Sequence, residues 1–144
     1  MDPLDFFAKA FDAPFSEQDL AFMNSHLTGL DATLGFRYTH VAHSDIRAEV
    51  TISEALLQPA GLAHGGVLAA LAESAGSLAG MIVAKGAVVG VNNSTDFISS
   101  ARPGDVVKAQ VSPVQLGRRT QLWDITMTTG DKLVARTTLR TMVV

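Results

Sequence analysis

The apolar positions of the chain change their period along its length. Over residues 1–30 they fall at helical spacing: Phe6, Phe7 and Phe11 form one patch, and Leu20, Phe22, Met23 and Leu27 a second. Ser16 followed by Glu17 and Asp19 predicts the start of the second helix, because a hydroxyl caps free N–H groups and acids suit the positive helix end. From Ala32 the period falls towards two. Residues 33–40 and 45–53 read as a strand pair about the turn Val41-Ala42-His43-Ser44, with Ile46, Ala48, Val50 and Ile52 alternating against polar neighbours. A loop punctuated by Pro59 and Gly61 leads to a run from about Gly65 to Lys85 that is apolar on nearly every face, which predicts a buried helix. Four further runs, roughly 87–98, 105–116, 119–129 and 132–143, read as strands. Gly130-Asp131, set between alternating flanks, is a hairpin signal.

A single long apolar helix must be covered on most of its surface. One antiparallel sheet of about six strands, curled around it, does this with short connections. The expected architecture is α+β: one domain over residues 1–144, with residues 1–30 as a helical extension.

Composition narrows the function. Of the 144 residues, 47% are hydrophobic and 17% charged, which suits one soluble domain with a real core, and a net charge of −3 offers nucleic acid no basic field. The absence of cysteine excludes disulfides, thiolate metal sites and a cysteine nucleophile. Four histidines show no metal-ligand spacing, so no metal is expected. His40 and His43 flank a turn and read as solvated. Acids rather than basic residues open the chain, so no secretory leader is read and a cytoplasmic protein is expected. The run Gly65 to Ala84 is long enough to span a membrane, but Glu73, Ser74 and Ser77 within it weigh against that.

Glu73 is the only full charge between His64 and Lys85. A carboxylate is rarely buried without a partner, so it stands on a wet edge or is held for chemistry. His64-Gly65-Gly66 stands where loop becomes helix. Free N–H groups and the helix dipole meet there, and two glycines let a ligand approach the backbone, which suits a carbonyl oxygen that becomes negative during reaction; the same glycines could simply allow tight packing. His64 and Glu73 are nine residues apart, which is ~180° around a helix and ~13 Å along it. They cannot meet in one site within one helix. A two-fold dimer with antiparallel helices would bring one to the other, giving two equal sites. Ala69, Ala72, Gly76, Ala79 and Gly80 would permit close helix approach, or packing against the chain's own sheet. Ser77, one turn after Glu73, shares its face. Gly117-Arg118-Arg119-Thr120 puts two guanidinium groups and a hydroxyl at a turn, either a solvated hairpin or a phosphate contact.

The run HGGVLAALAESAGSLAG resembles the helix-opening motif of hot-dog-fold acyl-CoA thioesterases of the PaaI-like group, which includes aroyl-CoA and phenylacetyl-CoA thioesterases. STDFISSARPGD and the run from Leu116 to Val144 are similar to later parts of that family, and the resemblance covers about residues 30–143. It implies a hot-dog fold, a homodimer or dimer of dimers, and hydrolysis of acyl-CoA to acid and CoA, with no cofactor beyond the CoA of the substrate. By the resemblance Glu73 is nucleophile or general base and the Gly65 N–H polarises the thioester carbonyl. Gln58 lies near the thioester, Ser77 holds water, and His64 orients the loop or contacts the carbonyl. Gly66 and Asn93 would line the substrate site, together with Leu20, Met23 and Leu27 around an acyl pocket for aromatic or medium aliphatic groups. Many relatives carry Arg-Pro where this chain has Ser99-Ser100, so Arg102, Arg118, Arg119 and Thr120 are the remaining candidates for CoA. A hot-dog hydratase or dehydratase, or a non-catalytic acyl-binding module, are the alternatives.

Overall fold

A computed structural model describes residues 2–144. Three short helices precede the sheet: α1 (Pro3–Asp12), α2 (Glu17–Ser25) and α3 (Gly29–Leu34). Asp2 caps α1 by accepting the Leu4 N–H, and Pro3 sits at its first turn, where a missing N–H costs nothing. Ser16 and Asp19 form a reciprocal capping box at α2. The extension therefore runs to Leu34 rather than residue 30, and α3 takes the positions read as the start of the first strand. Gly35, in the left-handed conformation at φ 78°, ends α3 and turns the chain into the sheet.

The strands are β1 (Phe36–Ala42), β2 (Asp45–Thr51), β3 (Val88–Phe97), β4 (Val106–Leu116), β5 (Thr120–Thr129) and β6 (Lys132–Val143). They form one antiparallel sheet in the order β1-β2-β4-β5-β6-β3. Between β2 and β3 runs α4 (Gly65–Ala84), with Lys85 at its C-cap. The sheet curls around α4, and Leu71, Ala75, Ile82, Trp123, Ile125 and Leu139 are buried between them. This is the layout that the periodicity predicts.

The small residues of α4 serve this packing. A Cβ on Gly76 would lie 2.5 Å from Leu139 Cδ2, and one on Gly80 2.9 Å from Thr141 Oγ1. At Gly76 and Gly80 the seam of small residues therefore packs on the chain's own β6.

The two sheet edges differ. At β1, the Asn24 side chain bonds both backbone groups of Tyr38, donating to its carbonyl and accepting its N–H at 2.8 Å each, which closes that edge. β3 pairs only with β6, and its outer edge carries the exposed apolar side chains Val89, Val91 and Phe97. α4 runs antiparallel to β3: Gly80 packs by Val88, Glu73 against Gly90, and Gly65 against Phe97.

Candidate active site

The first feature is the start of α4. His64 is the N-cap, and its Nδ1 accepts the Gly66 N–H at 2.8 Å. The Gly65 N–H has no acceptor among the described residues. The Phe97 ring lies directly on Gly65, where a Cβ would come within 2.8 Å of Cζ, so only glycine leaves this contact undisturbed. Beside it opens a cavity of about 420 Å³, bordered by Gln58, Gly65, Phe97, Ser99 and Ser100. Gln58 Oε1 accepts the Ala60 N–H, which fixes the amide and leaves its NH2 end without an acceptor among the described residues. Lys132 donates to the Ser100 carbonyl, so a cation stands at the rim of this cavity. Arg102, whose side chain is exposed, follows in the same loop.

The second feature is Glu73, exposed in the single chain and engaged in no ion pair among the described residues. Its carboxyl carbon stands 3.6 Å from where a Gly90 Cβ would be, and Asn93 reaches its Oε1 at 3.5 Å. One turn further, Ser77 opens onto a second cavity of about 310 Å³ walled by Met23, Leu27, Met81 and Val88. Leu20 lies elsewhere, in a groove with Arg37 and Thr39, so of the three residues expected around an acyl pocket only Met23 and Leu27 are there.

The two features are separated along one helix. Gly65 and Glu73 are eight residues apart, or ~12 Å of helix rise. A single chain does not bring them together, as the spacing predicts. What lies between them is the open edge of β3.

Residues 60–136 match the family described as the thioesterase superfamily. The chain belongs to the thioesterase superfamily. An esterase candidate of Mycobacterium tuberculosis is 40% identical to it over 116 residues, covering 76% of this chain and 82% of that one. The 1,4-dihydroxy-2-naphthoyl-CoA hydrolase of Escherichia coli is 37% identical over 94 residues, covering 64% and 68%. Among solved structures, a thioesterase of Haemophilus influenzae superposes with a TM-score of 0.80 at 31% identity, covering 94% of each chain. The hot-dog fold and thioesterase activity implied by the motif are both borne out, and acyl-CoA thioester hydrolysis is the reaction this site has to explain.

The other site candidates of the thioesterase fall in different places. Arg118 and Arg119 are exposed in the β4–β5 turn, where the Arg119 carbonyl accepts the Val143 N–H. That is the end of the sheet where β3 begins, the opposite end from Arg102 and the Gly65 cavity. The Thr120 hydroxyl accepts a bond from Arg140 instead of standing free for a ligand. His40 lies 3.4 Å from Asp45, and His43 packs edge-on to Phe11, so neither joins the site.

One polar cluster has no counterpart in the sequence pattern. Tyr38 donates to Asp31 Oδ2 at 3.0 Å and Ser74 to Asp31 Oδ1 at 2.6 Å, and all three line the cavity beyond Ser77. Burial pushes the Tyr38 phenol well above the usual tyrosine range, and the Asp31 carboxylate adds to the shift. Its members come from α3, β1 and α4, and Asp31 and Ser74 are 43 positions apart in the chain. No local pattern could have joined them.

Proposed function

We propose that the thioesterase works as a dimer in which each site joins Glu73 of one copy to Gly65 of the other. The observation that carries this reading is the free Gly65 N–H and the exposed Glu73 carboxylate lying at opposite ends of one unpaired strand, against the same face of it. If β3 pairs antiparallel with a second β3 about a two-fold at Ser94, the bulge between Gly90 and Asn92 sets Gly90 opposite Phe97 of the second copy. Because Glu73 packs against Gly90 and Gly65 against Phe97 on one face of β3, that register sets each carboxylate beside the other copy's helix start. Burial of the edge would also desolvate Glu73, which a single chain does not do.

In this arrangement the thioester carbonyl oxygen takes the Gly65 N–H, with the Gln58 NH2 near it. Glu73 acts as general base or as nucleophile. As base it draws a proton from water while the water oxygen bonds the carbonyl carbon; the negative charge gathers on the oxygen facing Gly65. The C–S bond then breaks, and the CoA sulfur leaves with the proton held by Glu73. Ser77 holds the water, and His64 shapes the helix start as its cap. The same register brings the Arg118-Arg119 turn to the end of the assembly that carries Arg102 and Lys132 of the second copy, where CoA phosphates would need cations. The reading places the enzyme in the cytoplasm, with its CoA substrate, and leaves room for dimers to pair into tetramers.

The acyl group belongs in the cavity beyond Ser77. Its walls are apolar, and the Asp31 carboxylate in its lining has lone-pair directions beyond the two used by Tyr38 and Ser74. A hydroxylated aromatic acyl group fits both, and the name of the E. coli relative points the same way. The test is thiol release across acyl-CoAs with aliphatic, plain aromatic and hydroxyaromatic acyl groups. The expected order rises to the hydroxyaromatic esters, and Glu73→Gln should lower kcat by about 10²-fold or more with the fold intact. Glu73→Gln hydrolysis at the wild-type rate would remove Glu73 from the mechanism.

A further inference from the structure

Asn93 was expected among substrate-binding residues, but in the structure its side chain borders neither site cavity. It points at α4. Its Nδ2 donates to the Ala69 carbonyl at 3.0 Å and to Glu73 Oε1 at 3.5 Å. Its Oδ1 accepts the Thr95 hydroxyl at 2.7 Å, and Thr95 Oγ1 lies 2.7 Å from Thr137 Oγ1 on β6. Because the Ala69 carbonyl can only accept, the amide cannot flip: the NH2 end is the one that faces the helix. A chain of three polar side chains thus runs from β6 through β3 to the carboxylate.

We infer that Asn93 is a positioning residue for Glu73, holding Oε1 and leaving Oε2 as the oxygen that meets water or the thioester carbon. The inference rests on the proposed role of Glu73 and adds how that group is aimed. An exposed glutamate on a helix samples several rotamers, and only a fraction of them point across the β3 edge. A donor fixed to the sheet selects one, and it also favours the charged form of the carboxylate it contacts. Thr95 and Thr137 make the donor rigid. Asn93 reaches Glu73 from β3. From α4, the polar side chains nearest in sequence are Ser74 and Ser77, and no ion pair of the described residues engages the carboxylate.

The test compares kcat, KM and pH profiles for the wild-type protein, Asn93→Leu, Asn93→Asp and Thr95→Val on the best acyl-CoA. Asn93→Leu keeps the volume and removes the donor. Its kcat should fall about 10-fold or more with KM little changed, and the acidic limb of kcat should move to higher pH. Asn93→Asp keeps the acceptor for Thr95 but sets a second carboxylate beside the first, so its limb should move further in the same direction. Thr95→Val, which frees the amide, should give a smaller effect of the same sign. In a Glu73→Gln background Asn93→Leu should cost nothing more, which a merely structural role would not produce. An unmoved limb and full kcat in both Asn93 variants would overturn the inference while leaving the catalytic reading intact. A wild-type protein active on acyl-CoA with no dependence on Glu73 would instead remove the reading on which it rests.

Discussion

His64 Nδ1 accepts the Gly66 N–H at 2.8 Å, and this bond decides which amide at the start of α4 stays free. A helix start offers several N–H groups without partners. With Gly66 engaged by the cap, the Gly65 N–H is left beside the cavity that also holds Gln58. In the proposed site the histidine therefore acts through the backbone.

A capping role makes a definite prediction. His64→Ala should lower stability by about 1 kcal/mol, the usual cost of losing a side-chain cap. His64→Asn, itself a good cap, should recover most of that in urea unfolding, and should retain more activity than His64→Ala. Recovery of stability with activity still as low as in His64→Ala would mean that the ring touches the substrate.

Tyr38 is the only tyrosine of the chain, so its ionisation can be followed alone at 295 nm. Its phenol is held well above the usual tyrosine range by burial first and by Asp31 second. The sign follows from proton binding. Above about pH 10 the unfolded chain gives up this proton while the native state keeps it, so stability is full below that pH and falls as pH rises beyond it. Phenolate absorbance should therefore appear only well above pH 10 and together with loss of structure. Asp31→Asn should move its onset down without abolishing the shift, because the burial remains. A phenolate titrating near 10 in folded protein would contradict the buried Tyr38–Asp31 pair.

The proposed site assigns cations at two places to CoA. Arg118→Ala/Arg119→Ala should raise KM more than it lowers kcat, since a remote phosphate contact binds substrate and transition state alike. Lys132→Ala should do the same, because Lys132 bonds the Ser100 carbonyl at the rim of the Gly65 cavity. An unchanged KM in both variants would leave the CoA phosphates without a cation among these residues.

The long helix and the strands were legible in the sequence because burial imposes a period on many residues at once, as the alternation from Ile46 to Ile52 illustrates. The separation of His64 from Glu73 was legible because helix geometry alone fixes it. α3 was not. It is six residues long, lacks a side-chain cap bond, and is held by its neighbours more than by its own pattern. The contacts of Asn93 and Lys132 were hidden for a different reason. Each depends on a hydrogen bond to a distant part of the chain, Asn93 to α4 and Lys132 to Ser100, and no local spacing records such a bond.

The most direct measurement of the shared site is complementation between two inactive variants. Glu73→Gln removes the carboxylate. Gly65→Pro removes the N–H at a position that tolerates proline, because Gly65 is the first residue of α4 and His64 before it is already extended at φ −67° and ψ 131°. Only the exposed Phe97 ring has to move. Each variant alone should be nearly inactive yet folded and dimeric. In a mixed dimer one site keeps Glu73 from the Gly65→Pro chain and Gly65 from the Glu73→Gln chain. Equal co-expression should therefore restore about a quarter of wild-type activity, since half of the dimers are mixed and each has one intact site. A mixture no more active than its two parents, or a Gly65→Pro enzyme active by itself, would contradict a site built from two copies.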